Sequence, residues 1–185
     1  MNFYDLLFAK KLSGGGGGSN YDLKGNFTAG TTSATKTVLN VELTTPSSVT
    51  EIAQTGFYPT DYKLKKAILT EVTAIGTQGF YNAALEEVIM PKIVTIGTSA
   101  FYNCASLTEI DLPDTLTSIG NSAFYYCKAL TTVYCRAITP PTCTNDIFKY
   151  STNLTKIYVP AESVDAYKAA NGWSTHANKI EAIPT

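Results

Sequence analysis

The chain has 185 residues, a formal net charge of −1 and only 16% charged residues. This length suits one domain with a short appendage, and the absence of a basic excess argues against binding to nucleic acid or to anionic membranes. The composition is polar, weakly charged and rich in residues that favour strands, including 12 tyrosines.

The N-terminal segment joins a short apolar stretch to a glycine run. Residues 1–13 predict a short amphipathic helix, because apolar side chains recur along one face. The lysines follow the apolar residues and Asp5 interrupts them, so we expect no secretory signal, and the stretch is too short to span a bilayer. Residues 14–19, with five consecutive glycines, are expected to act as a flexible tether, and residues 20–37 as a loop or a first strand.

From residue 38 onward the chain repeats itself. Phenylalanines stand at positions 57, 80, 101, 124 and 148, with spacings of 23, 21, 23 and 24 residues. This period lies in the range of about 20 to 29 residues that is typical of leucine-rich repeats. After each phenylalanine comes a pattern close to Leu-x-x-Ile-x-Leu-Pro, and its copies begin at Leu64, Leu85, Leu107, Leu130 and Leu154, with a truncated copy at Val38.

Each repeat predicts one coil of a solenoid. The alternation Ile-x-Leu indicates a strand, the following Pro ends that strand, the Ile-Gly step predicts a tight bend, and Ser-Ala-Phe predicts one short helical turn with Phe pointing inward. A single repeat cannot bury its apolar face, so we expect the coils to stack. Residues 161–170 predict a capping helix that begins after Pro160 and ends at Asn171-Gly172, with Val164, Tyr167 and Trp173 covering the last repeat.

These repeats resemble the BspA-like leucine-rich repeats, also called type-5 or Treponema pallidum-type repeats. Residues 107–127 match the family pattern at nearly every fixed position, and the resemblance extends over about residues 38–160. It implies a β-rich α/β solenoid, a right-handed stack with one parallel sheet, short helical turns and a C-terminal capping helix. It also implies adhesion at bacterial surfaces, to proteins, matrix or other cells, with no catalytic residues and no cofactor.

The resulting organisation has four parts. Residues 1–13 form an N-terminal docking peptide, 14–19 a tether, 20–160 the solenoid with its leading segment, and 161–185 the cap. The N-terminal peptide is also similar to the opening of structural proteins from gut bacteriophages, which implies docking to other subunits of an assembly. The expected docking side chains are Phe3, Tyr4, Leu6, Leu7, Phe8 and Leu12.

Two functions therefore compete. In the first, the protein is part of a virion, anchored by its N-terminal peptide, and its repeats bind a protein or glycan on a host surface. In the second, it is a bacterial adhesin on the cell surface or secreted. The lack of a signal peptide favours the first hypothesis. An enzyme is the least favoured class, because His176 is expected to lie at the surface without a catalytic partner, and no metal-binding, phosphate-binding or paired-carboxylate motif occurs.

The outer face of the strands is the first candidate binding surface. Its side chains alternate with inward Ile and Leu, and Lys66, Thr132 and Lys156 accompany them one pleat earlier. An exposed apolar and aromatic row favours a partner site, whereas ordinary cross-strand packing is the alternative. The predicted partner-binding residues are Ile68, Ile89, Asp111, Tyr134, Tyr158, Glu87 and Glu109.

A second row of tyrosines follows the core phenylalanines, at positions 58, 81, 102 and 125. These rings are candidates for a sugar or protein contact, but filling the space between neighbouring turns is the favoured interpretation. The resemblance places Cys104 and Cys127 in the core as buried thiols. Cys135 and Cys143 have the alternative of pairing across the Pro140-Pro141 turn.

Overall fold

The computed structural model describes residues 41–45, 47, 49–57, 64–143 and 146–185. The docking peptide, the glycine tether and the leading segment up to residue 40 lie outside the described residues, as does Tyr58 of the tyrosine row.

Parallel strands from successive repeats form the main face of the solenoid. They belong to two sheets, with the orders β1-β3-β5 and β7-β9-β10-β11. Strands β5 and β7 are neighbours, yet no ladder joins them in the described part of the chain, so the face consists of two sheets rather than the single sheet expected. The strands are β1 (Val41–Thr44), β3 (Leu64–Ile68), β5 (Glu87–Ile89), β7 (Glu109–Leu112), β9 (Thr132–Cys135), β10 (Lys156–Val159) and β11 (Ile180–Ala182).

A third parallel sheet, absent from the sequence prediction, runs along the flank. Each of its strands has two residues and ends in a buried isoleucine, and the order β2-β4-β6-β8 follows the repeats. Such short strands carry too few residues for periodicity to reveal them. They are β2 (Glu51–Ile52), β4 (Ala74–Ile75), β6 (Thr95–Ile96) and β8 (Ser118–Ile119).

A glycine follows three of these isoleucines, Ile75, Ile96 and Ile119, and allows close stacking of the coils, whereas Ala53 follows Ile52. A Cβ atom at Gly97 would lie 2.6 Å from the backbone nitrogen of Thr77, and one at Gly120 would lie 2.3 Å from that of Thr98. Both distances are shorter than real Cβ contacts. The left-handed backbone that makes the bend falls two residues later, for example at Ser99 (φ 54°). The conserved spacing of the Ile-Gly step therefore reflects packing between coils rather than the flexibility of glycine.

The segment around each phenylalanine forms successive hydrogen-bonded turns rather than a continuous helix. In one repeat, Gly79 N donates to Gly76 O (3.0 Å), Tyr81 N to Gln78 O (3.2 Å) and Ala83 N to Phe80 O (3.1 Å). The repeats of Phe80, Phe101 and Phe124 each have two residues with left-handed backbone, in the first of them Gln78 (φ 58°) and Asn82 (φ 59°). Because left-handed residues cannot continue a right-handed helix, the segment stays a series of turns.

The core is a column of stacked rings. Five phenylalanines, each at most 1% exposed, lie with neighbouring ring centroids 4.9, 5.4, 5.2 and 5.5 Å apart. This column confirms the predicted repeat register, since it contains Phe57, Phe80, Phe101, Phe124 and Phe148.

Three residues after the phenylalanine, a small polar side chain in each of the last three repeats hydrogen-bonds to the preceding coil, whereas the Phe80 repeat has Ala83 there. The Cys104 thiol donates to Phe80 O (3.3 Å), the Cys127 thiol donates to Phe101 O (3.1 Å), and the Ser151 hydroxyl donates to Phe124 O (2.8 Å). Both cysteines are buried free thiols, as the resemblance implied. Burial raises the pKa of the Cys127 thiol to about 12, so it stays a neutral donor.

The last two cysteines are also free and contact the cap. The Cys135 sulfur lies 3.2 Å from the Tyr167 hydroxyl, and the Cys143 thiol donates to Asn171 O at 3.0 Å. The alternative disulfide across the Pro140-Pro141 turn is therefore not formed. Burial is the main cause that raises the pKa of both thiols to about 11.

The cap follows the last repeat as predicted and adds one further strand. A short 3₁₀ turn (Ala161–Ser163) leads into α1 (Val164–Ala169), and a 3₁₀ segment (Ser174–Lys179) precedes β11. Tyr167 and Trp173 are fully buried, and both donate hydrogen bonds to backbone oxygens of the repeats. Strand β11 pairs with β10 and so extends the main face beyond the last repeat.

Candidate recognition surfaces

The predicted sheet-face row exists as an aligned set of side chains. Ile68 pairs in register with Ile89, and Asp111 with Tyr134, which in turn pairs with Tyr158. Ile89 is 40% exposed, and the rings of Tyr134 and Tyr158 stack with centroids 5.1 Å apart. The strand pairing thus brings the predicted residues together on one surface, in two groups that meet between β5 and β7.

Charges on this face are neutralised between neighbouring strands. Lys66 Nζ lies 2.8 Å from a Glu87 oxygen, and the Arg136 guanidinium binds both oxygens of Asp111, with the shortest contact 2.7 Å. Hydrogen bonding to Glu87 is the main cause that raises the pKa of Lys66. Such exposed pairs contribute little to stability, because solvent screens them, and they act mainly to balance charge across the coils.

Lys156 and Glu181 form a further pair across the last two strands, whereas Glu109 has no ion pair among the described residues. The paired charges agree with the packing alternative of the sequence analysis. The exposed Ile89 and the stacked pair Tyr134 and Tyr158 agree with the binding alternative.

The tyrosine row on the turn face is a second aligned set. The rings of Tyr81 and Tyr102 stack at 4.6 Å, and those of Tyr102 and Tyr125 at 4.8 Å, with interplanar angles below 10°. Beside them the Asn103 amide donates to the Asn82 side-chain oxygen at 2.9 Å. Because these ring faces cover one another, this part of the row fills the space between turns, as the favoured interpretation expected.

The row ends in a cluster that the sequence analysis missed. Tyr126 and Tyr150 are 38% and 50% exposed and follow the core phenylalanine by two residues. The ring of Tyr150 lies edge-on to Tyr125 at 5.0 Å and to Tyr126 at 6.4 Å. The substitution of tyrosine for the asparagine found in two earlier repeats was the available signal.

Two lysines complete this cluster. Lys128 Nζ lies 4.3 Å from the centroid of the Tyr126 ring, and Lys149 Nζ lies 5.3 Å from that of Tyr150. Both distances allow cation–π attraction. Desolvation, followed by the nearby Tyr150, raises the pKa of Tyr125, which keeps its hydroxyl protonated at neutral pH. We call Tyr125, Tyr126, Tyr150, Lys128 and Lys149 the tyrosine–lysine cluster.

His176 has a partner, contrary to expectation. Its Nε2 atom lies 2.8 Å from Asp146 Oδ1, its side chain is only 12% exposed, and its ring meets Phe148 edge-on. The interaction fastens the cap to the last repeat. Among the described residues, no nucleophilic side chain hydrogen-bonds this ring, and no group of three or more His, Cys, Asp or Glu has the arrangement of a metal site.

A groove of about 540 Å³ lies along the flanking sheet. It is lined by threonines, glycines and isoleucines, and Cys143 is the titratable side chain at its end. Since burial raises the pKa of this thiol to about 11, little nucleophilic thiolate forms at neutral pH. The groove could therefore accommodate a ligand, but its described lining contains no reactive side chain.

Comparisons with known proteins follow the same repeats. A family model described as "BspA type Leucine rich repeat region" matches residues 33–91 and 73–170, in six copies. No curated protein matches the chain. None of the helices in the described part of the chain has the length and apolar character needed to cross a bilayer.

Two solved structures are similar. A leucine-rich cell-surface protein from Faecalibacterium prausnitzii A2-165 is 27% identical with a TM-score of 0.63, over 71% of this chain and 35% of its own. A leucine-rich repeat protein from Bacteroides ovatus ATCC 8483 is 22% identical with a TM-score of 0.53, over 77% of this chain and 42% of its own, and supports the fold alone. This chain thus spans less than half the length of either protein.

Proposed function

Because the chain belongs to the BspA-type leucine-rich repeat family, we propose that it is a non-enzymatic recognition module displayed at a bacterial cell surface. The similar protein from Faecalibacterium prausnitzii, described as a cell-surface protein, supports this location. The virion hypothesis rests on residues 1–18, which lie outside both the family match and the described residues. Neither relative supports that hypothesis, so it stays a prediction.

The main face is the surface that we propose for a protein partner. The observation that carries this proposal is the aligned row with exposed Ile89 and the stacked pair Tyr134 and Tyr158. Aromatic and apolar centres within a polar rim are typical of protein interfaces. Seven strands at about 4.8 Å spacing give a face roughly 30 Å wide, which suits an interface of standard size.

The experiment displays the full chain on a non-adherent bacterium and measures adhesion to epithelial cells and to matrix-coated plates. We expect adhesion above that of the empty host, and a several-fold loss in the Ile68→Asp, Ile89→Asp double variant. The matched control is Ile138→Asp, since Ile138 is 65% exposed but lies outside the strands. No adhesion by the parent chain, or equal adhesion by the double variant, contradicts the proposal.

The enzyme alternative has its own test at His176. The full chain is assayed against chromogenic ester, peptide and glycoside substrates, beside the His176→Ala variant. We expect no turnover above the buffer blank, because the ring is held by Asp146 against Phe148. Hydrolysis by the parent chain that disappears in this variant would overturn the non-enzymatic proposal.

A further inference from the structure

One position of the repeat has the same backbone conformation in four repeats but is occupied by different residues, and packing does not explain the difference. The second residue after the core phenylalanine is left-handed in each of four repeats, with φ of 59° at Asn82, 53° at Asn103, 63° at Tyr126 and 64° at Tyr150. Asparagine tolerates this conformation, whereas a bulky side chain is strained in it. The two C-terminal repeats thus place exposed tyrosines where the fold favours asparagine, and such strain concentrates at functional sites.

The charges beside these tyrosines are also unusual among the repeats. Between residues 64 and 160, every other described cation forms an ion pair with a carboxylate on a neighbouring coil. Lys128 and Lys149 have no carboxylate partner among the described residues, and both lie over exposed rings. Two uncompensated positive charges therefore flank an aromatic surface, which complements a ligand that carries negative charge.

The size of the cluster favours a small, repeating ligand unit. The exposed fractions of Tyr126 and Tyr150 are 38% and 50%, which corresponds to an area on the order of 200 Å² for two tyrosine side chains. One partner of a standard protein interface contributes about 800 Å². Backbone capture of a peptide strand is also disfavoured, because the Tyr126 amide already donates to Lys149 O at 3.0 Å.

A sugar ring fits this surface chemically. The negative face of an aromatic ring attracts the partly positive C–H hydrogens of a pyranose, and tyrosine hydroxyls can hydrogen-bond its oxygens. The lysine ammonium groups pair with carboxylates or sulfate esters. We propose that the tyrosine–lysine cluster binds an acidic polysaccharide, through ring stacking on Tyr126 and Tyr150 and charge pairing with Lys128 and Lys149.

This site lies on the turn face, away from the strands of the main face, so it does not depend on the proposed protein contact. The test uses isothermal titration of the full chain with three probes: a heparin-derived octasaccharide, an octamer of polygalacturonic acid, and maltooctaose. We expect binding of at least one acidic probe, weakened by added salt, and none of the neutral probe. Binding of polygalacturonate assigns carboxylates as the anionic group, whereas binding of the heparin fragment alone assigns sulfates.

The decisive variant is Tyr126→Asn with Tyr150→Asn, since it restores the residue that the backbone favours. We expect acidic-probe affinity to fall about tenfold or more, while the melting temperature stays equal or rises. Lys128→Gln with Lys149→Gln should weaken binding and reduce its salt dependence. The matched control, Lys168→Gln with Lys179→Gln, changes the net charge equally within the cap and should leave affinity unchanged.

Three outcomes overturn the proposal. They are the absence of binding by either acidic probe at millimolar concentration, equal affinity in the tyrosine variant, and equal or tighter binding of poly-glutamate, which would indicate an acidic polypeptide instead. The Ile68→Asp, Ile89→Asp variant separates the two surfaces, because it should lose adhesion to a protein ligand and keep the affinity for the acidic probe.

Discussion

The repeats that contain Phe80 and Phe101 and those that contain Phe124 and Phe148 share one backbone but present different surfaces. In each repeat the phenylalanine is fully buried or nearly so, and the residue two positions later is left-handed. The earlier pair places Asn82 and Asn103 there, joined by an amide hydrogen bond, whereas the later pair places exposed tyrosines. The buried phenylalanine therefore determines how the coil folds, whereas the residue two positions later can vary and so change the surface that a partner would meet.

The largest expected effect comes from a coil-determining position. Phe101→Ala should lower the free energy of unfolding by about 3 to 5 kcal/mol, because it empties a slot between two stacked rings. Chemical denaturation monitored by circular dichroism measures the change. Tyr126→Ala is the control, since this ring is exposed and should change stability by less than about 0.5 kcal/mol or improve it. Equal stability of the Phe101 variant and the parent would contradict the repeat register.

Gly97→Ala tests the close approach of two coils. The added methyl would lie 2.6 Å from a backbone nitrogen, so the coils must separate locally, and we expect a loss of about 1 to 3 kcal/mol. The exposed neighbour Thr98, changed to Ala, should be nearly neutral in the same denaturation experiment. A Gly97 variant as stable as the Thr98 variant would show that the stacking distance is not limiting.

Because of Cys127, the free energy of unfolding should decrease as the pH rises into the alkaline range. Its folded-state pKa of about 12 exceeds the ordinary value of 9.0, so the unfolded chain loses its proton first as the pH rises. Stability that is fully present below pH 9 is therefore lost progressively towards pH 12, by about 1.4 kcal/mol at pH 10 for one thiol.

Unfolding of the parent chain and of Cys127→Ser is compared at pH 8 and pH 10. A serine at position 127 can donate the same kind of hydrogen bond that Ser151 donates at the equivalent position of the next repeat. It has no thiol to titrate, so the loss of stability between pH 8 and pH 10 should be smaller in this variant. The same loss in both proteins would contradict a buried, neutral thiol at this position.

The structure of a single coil could be predicted from the sequence, but several features outside the repeat pattern could not. The phenylalanine spacing predicted the stacked column, and the strand alternation predicted which of Ile89 and Val88 faces outward. The flanking strands were missed because two residues are too few to show a periodicity, and the interruption between β5 and β7 has no local sequence signal. Similarly, the Asp146–His176 contact joins residues 30 positions apart in segments that do not repeat.

Candidate sites were predictable only where they followed the repeat. The sheet-face row was expected from alternation, whereas Tyr126 and Tyr150 stood out only once the backbone showed that their position is left-handed. The change from asparagine to tyrosine is visible in the sequence, but it indicates strain only once the backbone conformation is known, because both are ordinary surface residues in right-handed turns.

The smallest expected effect is the most direct test of the comparison between repeats. Exchanging the residues at the shared left-handed position should move stability in opposite directions: Asn103→Tyr should lower it and Tyr126→Asn raise it, each by about 1 kcal/mol. The Asn103 variant also loses the amide bond to Asn82, so Asn103→Ala serves as the control for that loss. If Tyr126→Asn destabilises the chain instead, ring contacts with Tyr125 and Tyr150 outweigh the backbone strain, and these tyrosines are then structural rather than kept for a ligand.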